Sequence, residues 1–309
     1  MDGVDFGILP EGCISHVVSL TTPRDACRSS QVSSMLRAAS ESDLVWERFL
    51  PSDYREVLSR AVDHVEFSSK KELYFRLCRP ILIDGGKKSF ALDRSTGKKI
   101  YMLSAKELCI IWGDTPQYWN WISPPESRFP QAAELISVCW LEIRGKIDVK
   151  TLSPKTTYAA YLVMKLTDEA FGLSSPLQDA CVKFRDHVSS HKVHIQPDAP
   201  RRSRFGFRGP IIIRHRPLRR GQGQLMLPPP TLPEEEAQAA PEEAREATGE
   251  DAWRVPCGRG DGWREVELGE FYVEEGAEGE VEMSLTEVKG GNWKKGLIVQ
   301  GIEVRPKEK

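Results

Sequence analysis

The chain runs to 309 residues, a length that accommodates about two domains. Its 43 lysines and arginines against 45 aspartates and glutamates leave a formal charge of −2. That balance argues against a dedicated nucleic-acid binder, because neutralising phosphates takes a sustained basic excess. No run approaches the roughly 18 apolar residues of a membrane span, and Met1 to Pro10 carries two acids and no apolar core of a secretory leader. These features predict a soluble protein of the cytoplasm or nucleus. The seven cysteines (Cys13, Cys27, Cys78, Cys109, Cys139, Cys181 and Cys257) are odd in number and form no CxxC pair. They signal neither a zinc site nor a disulfide framework, and no cofactor is expected.

In chain order, residues 7–52 read as helices. Leu9-Pro10-Glu11 leads into Ile14, Val17 and Val18, an i, i+3, i+4 face. Thr22-Pro23-Arg24-Asp25 is a helix start: Thr22 caps, Pro23 suits the first helical position, and Asp25 favours the positive end. Val32, Met35, Leu36 and Ala39 continue that helix's apolar stripe. Ser40 to Asp43 repeats the cap pattern before Leu44, Val45, Trp46 and Phe49, and Asp53 with Glu56 opens a further helix to about His64.

After about residue 80 the period becomes alternating. Ile81-Leu82-Ile83, Ser89-Phe90-Ala91-Leu92 and Ile100-Tyr101-Met102-Leu103 are separated by Asp84-Gly85-Gly86 and Ser95-Thr96-Gly97 turns. Further strands are expected at 108–112, 136–144, 157–166, 180–188, 263–273, 280–288 and 296–305. Many short strands without intervening amphipathic helices predict an α+β protein with an antiparallel β-sandwich. The pattern breaks once. Eight arginines between Arg201 and Arg220 precede Pro228-Pro229-Pro230 and eight acids between Glu234 and Asp251. Such a segment cannot offset its ordering entropy, so roughly 216–256 reads as a disordered insertion, with Ile211-Ile212-Ile213 a candidate strand before it.

About 45 helical residues cannot hide Leu9, Ile14, Val17, Val18, Leu20, Val32, Met35, Leu36, Val45 and Trp46 among themselves. Either a partner surface remains or the helices pack onto the sandwich. The pattern alone fits both. The run Leu9-Pro10-Glu11, Ile14, Val17, Leu20, Thr22-Pro23-Arg24-Asp25, Val32-Ser33 and Ser42-Asp43-Leu44-Val45-Trp46 resembles an F-box. Its extension Trp46-Glu47-Arg48-Phe49-Leu50-Pro51-Ser52-Asp53-Tyr54 resembles the version joined to phloem protein 2 domains in plants. The resemblance implies a small three-helix F-box at 5–52 and a helical linker at 53–79. It implies docking on the Skp adaptor of cullin-RING ubiquitin ligases through Leu9, Pro10, Ile14, Val17, Leu20, Pro23 and Val32, with Trp46 bracing the helices.

Trp112, Trp119 and Trp121 fall within ten residues, with Gly113, Asp114 and Pro116 marking a loop between the first two. Indoles on a loop can offer flat faces to a sugar ring. A single tryptophan is more often core, and Trp140, on an alternating stretch, reads as core. Ile111-Trp112-Gly113 to Trp121, Val138-Cys139-Trp140-Leu141-Glu142-Ile143-Arg144-Gly145-Lys146-Ile147, Asp261-Gly262-Trp263 and Gly296-Leu297-Ile298-Val299 resemble the Nictaba-type lectin domain of the phloem protein 2 family, over 80–306 apart from the insertion. The resemblance implies a jelly-roll-like sandwich binding N-acetylglucosamine-containing glycans through Trp112, Trp119, Glu280 and Glu287.

Glu280 and Glu287 lie seven apart, so a regular strand sends them to opposite faces. A bulge or a turn must intervene for both to meet one ligand; otherwise Glu282 is the better companion of Glu280, the glutamate weighted here because it follows Gly279. Paired carboxylates also occur in glycosidases, but nothing else in the chain supports catalysis, and no catalytic residue is expected. His187, His191 and His194 read as solvated rather than metal-binding. The arginine cluster is compatible with nuclear import, its charge being balanced by the acids that follow.

The chain is therefore expected to be a non-catalytic substrate receptor of an SCF-type ubiquitin ligase. Its partners would be the Skp adaptor and a glycan or glycoprotein, with no membrane and no nucleic acid. The alternatives are a stand-alone lectin, or a receptor that reads protein instead of glycan.

Overall fold

The computed structural model describes residues 10–196 and 253–307. Leu9, the arginine cluster, Ile211–Ile213 and the polyproline and acidic stretches lie outside the described residues. Among these described residues the fold is α+β: six α-helices followed by two antiparallel sheets.

The helices are α1 (Glu11–Ser19), α2 (Pro23–Ser29), α3 (Ser34–Glu41), α4 (Asp43–Phe49), α5 (Tyr54–Ser59) and α6 (Lys70–Leu77). Thr22 caps α2 as read from the sequence, its Oγ1 accepting from the Asp25 N–H at 3.1 Å. The stripe Val32–Ala39 does not continue that helix. Ser30 Oγ donates to the Cys27 carbonyl (2.7 Å), and Ser33, with extended backbone, accepts from the Leu36 N–H (3.1 Å). Two serines thus end one helix and begin another, and four helices stand where three were expected. The helix after Asp53 stops at Ser59 instead of His64, because the following backbone joins the sheet: the Val62 N–H donates to Leu82 O, and Ala61 bridges to Ile83.

The larger sheet contains β1 (Ile81–Ile83), β2 (Lys88–Leu92), β3 (Lys99–Ser104), β5 (Trp119–Ile122), β6 (Ala132–Leu135), β8 (Thr156–Phe171), β11 (Cys257–Gly258), β12 (Arg264–Val273) and β14 (Lys295–Pro306). Its order is β1-β2-β3-β14-β8-β12-β11, with β6 paired to β14 and β5 to β6. The smaller sheet runs β10-β9-β13-β7-β4, from β4 (Cys109–Ile110), β7 (Leu141–Asp148), β9 (Gln178–Phe184), β10 (His187–Val193) and β13 (Glu280–Glu287). The expected strand 180–188 is two strands, because the chain reverses at Arg185, whose φ is 53°. The expected strand 136–144 begins only at Leu141.

The two sheets share one core. At Gly145 on β7, an added Cβ would lie 3.0 Å from a Leu108 methyl and 3.1 Å from an Ile302 methyl on β14, so the layers approach closely there and a larger residue would have to push these methyls aside. The helices belong to the same core. Trp46 is fully buried, with ring centroids of Phe49, Tyr74 and Phe75 at 5.5, 5.2 and 5.3 Å, and its Nε1–H donates to Ser40 O at 2.7 Å. Tyr74 reaches from α6 to donate to Asp93 O (3.1 Å) in the β2–β3 turn. Arg60 grips Asp84 with two bonds of 2.8 Å, and Lys99 meets Asp53 at 2.7 Å.

The segment re-entering at 253 is anchored sooner than an insertion ending at 256 would allow. Arg254 bridges to Val193 and ion-pairs with Glu267, and Cys257–Gly258 adds β11 to the sheet edge. Arg259 then joins a buried cluster in which Glu303 takes Arg259 at 3.2 Å, Arg128 at 3.1 Å and Arg305 at 2.8 Å. Burial alone would raise the Glu303 carboxyl, but the arginines outweigh it and hold its pKa at about 2, against an ordinary value of 4.5.

A carboxylate depressed in this way stabilises the fold above about pH 4.5, and that contribution fades as pH falls toward 2. Glu303→Gln should cost roughly 3 kcal/mol at pH 7, as expected when one partner of a buried ionic cluster is removed. It should also flatten the fall in stability between pH 5 and 3, as read by urea unfolding at each pH.

Candidate functional site

The helical module sorts the expected adaptor-facing residues into two sets. Pro10, Val17, Leu20 and Val32 are exposed, whereas Ile14 and Pro23 are buried inside the module. Ile14 turns inward because it shares a face with Val18, which packs into the core; Val17, one position away, points out. Trp46 is a brace, as expected.

At the sheet end, Trp112 and Trp119 are separated in role. Trp112 is 42% exposed, sits at φ 60° and lies over Tyr118, with centroids 5.1 Å apart. Trp119 is only 2% exposed, which corrects the expectation of a sugar-facing ring. It points inward from β5, a strand not anticipated, and its Nε1–H donates to Ile111 O at 3.2 Å. Trp121 does likewise to Gly113 O at 3.0 Å. Two indoles thus clamp the carbonyls on either side of Trp112 and hold it in a backbone region that non-glycine residues seldom occupy.

The glutamates are also divided. Register between β13 and β7 runs unbroken from Glu280 opposite Asp148 to Glu287 opposite Leu141, so no bulge brings the two together. They lie at opposite ends of the strand, roughly 23 Å apart at ~3.3 Å per residue. Glu280 and Glu282 share the outer face and Lys146, at 3.8 and 2.6 Å. Glu287 faces inward at the tryptophan end. It is the Glu287 end of the strand, not the Glu280 end, that is level with the chain leading to Trp112, since Glu287 pairs with Leu141 and the Ile111 N–H donates to Glu142 O.

Glu287 is held by backbone donors and by a buried lysine. Its Oε1 accepts from the N–H groups of Lys289 (3.1 Å) and Gly290 (2.8 Å), and it ion-pairs with Lys294, which is 0% exposed. Lys294 Nζ also donates to Cys139 O (3.1 Å) and Asn292 O (2.9 Å). Burial raises the Glu287 carboxyl, but Lys294 and the backbone donors more than offset this and leave its pKa below the ordinary value. The carboxylate braces a loop.

Trp140, expected in the core, is 43% exposed. It precedes the true start of β7, on a bend where strand alternation does not apply. Its Nε1–H donates to Glu142 (2.7 Å), whose other oxygen accepts from Arg144 (2.7 Å). The histidines are on or beside β10, not in a polar loop: His187 and His191 Nε2 lie 3.1 and 2.8 Å from the carbonyls of Glu270 and Glu267.

The family model for phloem protein 2 matches residues 98–306. Among curated proteins of Arabidopsis thaliana, one F-box protein is 44% identical over 302 residues, covering 97% of this chain and 80% of its own length. F-box protein PP2-B1 is 43% identical over 314 residues, covering 97% and 90%, and F-box protein PP2-B10 is 40% identical over 306, covering 97% and 94%. The chain belongs to the phloem protein 2 family.

Its relatives carry the F-box name, so this phloem protein 2 chain is of the plant F-box type. Among its described residues, no group of three or more His, Cys, Asp or Glu is placed to hold a metal, and no helix is long and apolar enough to cross a membrane. Sequence reasoning missed Trp293, which is 51% exposed. The signal was present in Gly290-Gly291-Asn292, a turn that puts the next residue on a loop.

Glu287→Gln should cost roughly 3 kcal/mol, because it strands a buried ammonium. The paired change Glu287→Leu with Lys294→Met should cost much less than the sum of its single changes. Urea unfolding of the four chains measures this coupling.

Proposed function

We propose that the chain is a substrate-receptor subunit of an SCF-type ubiquitin ligase. On this reading, residues 5–52 form the F-box, 53–79 a helical linker, and 80–306 a Nictaba-like sandwich that binds N-acetylglucosamine-containing glycans at its Trp112 end. The observation that carries the reading is the two-sidedness of the helices. Ile14, Val18, Val45 and Trp46 enter the shared core, while Val17, Leu20 and Val32 are left in water. Packing against the sheets satisfies the first set and cannot account for the second, which fits an adaptor surface. A contact of standard size would bury roughly 800 Å² on each partner.

The sandwich contributes capture without chemistry. Trp112 offers an indole face, and a shallow single-ring site of this kind should bind with Kd between about millimolar and micromolar, or −4 to −8 kcal/mol. Ubiquitin transfer then follows from proximity, with no catalytic side chain supplied by this subunit. The chain would act in the cytoplasm or nucleus. The burial of Trp119 and the engagement of Glu287 favour a second reading, in which the same receptor recognises a protein surface.

Co-purification of the intact chain with a plant Skp adaptor tests the main proposal. Val17→Asp with Leu20→Asp should reduce recovery at least about tenfold while leaving the circular dichroism unchanged. No recovery with the unaltered chain would favour a stand-alone lectin. A glycan array separates the two receptor readings: signal lost on Trp112→Ala supports glycan capture, and a silent array supports protein recognition.

A further inference from the structure

Strand alternation gives the smaller sheet two unlike faces. Val182, Met283 and Ile143 enter the core shared with the larger sheet, so Lys183, Glu282 and Arg144 beside them point the other way. Register fixes the outward residues as a grid over three strands. Glu282 on β13 is opposite Lys146 on β7 and Lys183 on β9, and Ser284 is opposite Arg144 and Cys181. Thr286 is opposite Glu142 and Asp179. Residues paired in this way hold their Cβ atoms about 5 Å apart. The face is dished: Arg144, Lys183, Ser284 and Thr286 line a hollow of about 240 Å³.

Donors outnumber acceptors in that hollow. Lys146 is committed, its Nζ meeting Glu282 at 2.6 Å and Glu280 at 3.8 Å. Glu282 is thereby held on the Lys146 side, and Lys183 forms no ion pair among the described residues. Arg144 spends Nε on Glu142 at 2.7 Å, and neither of its Nη groups forms a hydrogen bond among the described residues. Ser284 Oγ reaches only the Cys181 carbonyl, at 3.5 Å, the long limit of such a bond. Burial pushes the Cys181 thiol up, so it adds no negative charge at neutral pH.

A guanidinium, an ammonium and two hydroxyls thus face one space from three strands. A carboxylate offers two oxygens in a plane. A phosphate monoester offers three, with a charge of about −1.5 to −2 at pH 7, and engages more of this donor set. Carboxylates stand at both ends of the grid, Glu280 with Asp148 at one and Glu142 with Asp179 at the other. A nucleic acid or other run of closely spaced phosphates would set its next charges against them, so the face suits one isolated phosphate.

We propose that the outer face of the smaller sheet binds a single phosphate monoester between Arg144 and Lys183, with Ser284 and Thr286 as hydroxyl donors. The site stands independently of the adaptor and glycan readings, because none of its four donors is assigned to either. Phosphorus NMR titration of the intact chain, at neutral pH and fixed ionic strength, tests it with two probes: inorganic phosphate and N-acetyl-phosphoserine amide. The unaltered chain should bind with Kd of about a millimolar or tighter. Arg144→Gln with Lys183→Gln should weaken binding at least about tenfold, and Ser284→Ala about threefold. Glu282→Gln, which removes a carboxylate from the hollow, should tighten it several-fold. Lys150→Gln with Lys155→Gln removes the same charge from loops elsewhere on the sandwich and should leave affinity unchanged. Circular dichroism checks that each chain is folded. Tighter binding of the phosphoserine amide assigns the site to a phosphorylated protein, and tighter binding of inorganic phosphate assigns it to the free ion. Binding of neither probe, or an equal loss from the Lys150 and Lys155 changes, overturns the site. Displacement of either probe by an equal concentration of acetate overturns it as well.

Discussion

The joint between helices and sheets is the constraint on which this molecule depends. Trp46 packs among Phe49, Tyr74 and Phe75, and Tyr74 then bonds to the turn between β2 and β3. Gly97 in that turn, at φ +71°, lies so close to Phe49 O that an added Cβ would sit 3.0 Å from it. The helical module is too small to hold a core of its own, so it borrows one from the sandwich. With the Arg60–Asp84 and Lys99–Asp53 pairs on its borders, the joint gives the exposed row Val17, Leu20 and Val32 a fixed relation to the sheets.

On the proposed receptor role the joint matters, because such a protein would work by placement alone. If one end is held by a scaffold and the other holds cargo, the distance between them is set by packing and not by a tether. Of the two readings of the helices, packing onto the sandwich accounts for one face, and the other face is the one the proposal assigns to a partner. Ile14 and Val18 pack inward while Val17 and Leu20 face water.

Much of this was legible in the sequence. Alternation located β2, β3, β8, β12, β13 and β14, and the Thr22-Pro23 cap located α2. The illegible parts share a cause: they depend on contacts distant in sequence or on single hydroxyl groups. The break at Ser30–Ser33 is made by two serine bonds that periodicity does not see. Strands β5 and β6 are four residues each and gain their identity from pairing, β6 with β14 and β5 with β6. At the site, the expected strand 108–112 stops at Ile110, which leaves Trp112 exposed on the turn that follows. Trp119 was misread because seven residues of separation do not reveal that an unforeseen strand turns it inward. The odd spacing of Glu280 and Glu287 did carry information, and their separation onto opposite faces follows from it.

The chain passes Val193 and comes back at Arg254 with the two backbones already bridged, and the His194 N–H donates to Arg254 O at 2.9 Å. Exit and return are therefore stitched side by side at the border of the sheets. Whatever number of residues lies between, neither flanking strand has to change register, and doubling that number adds only about 0.6 kcal/mol of closure entropy. Evolution can lengthen, shorten or rewrite this stretch while the scaffold around it stays as it is.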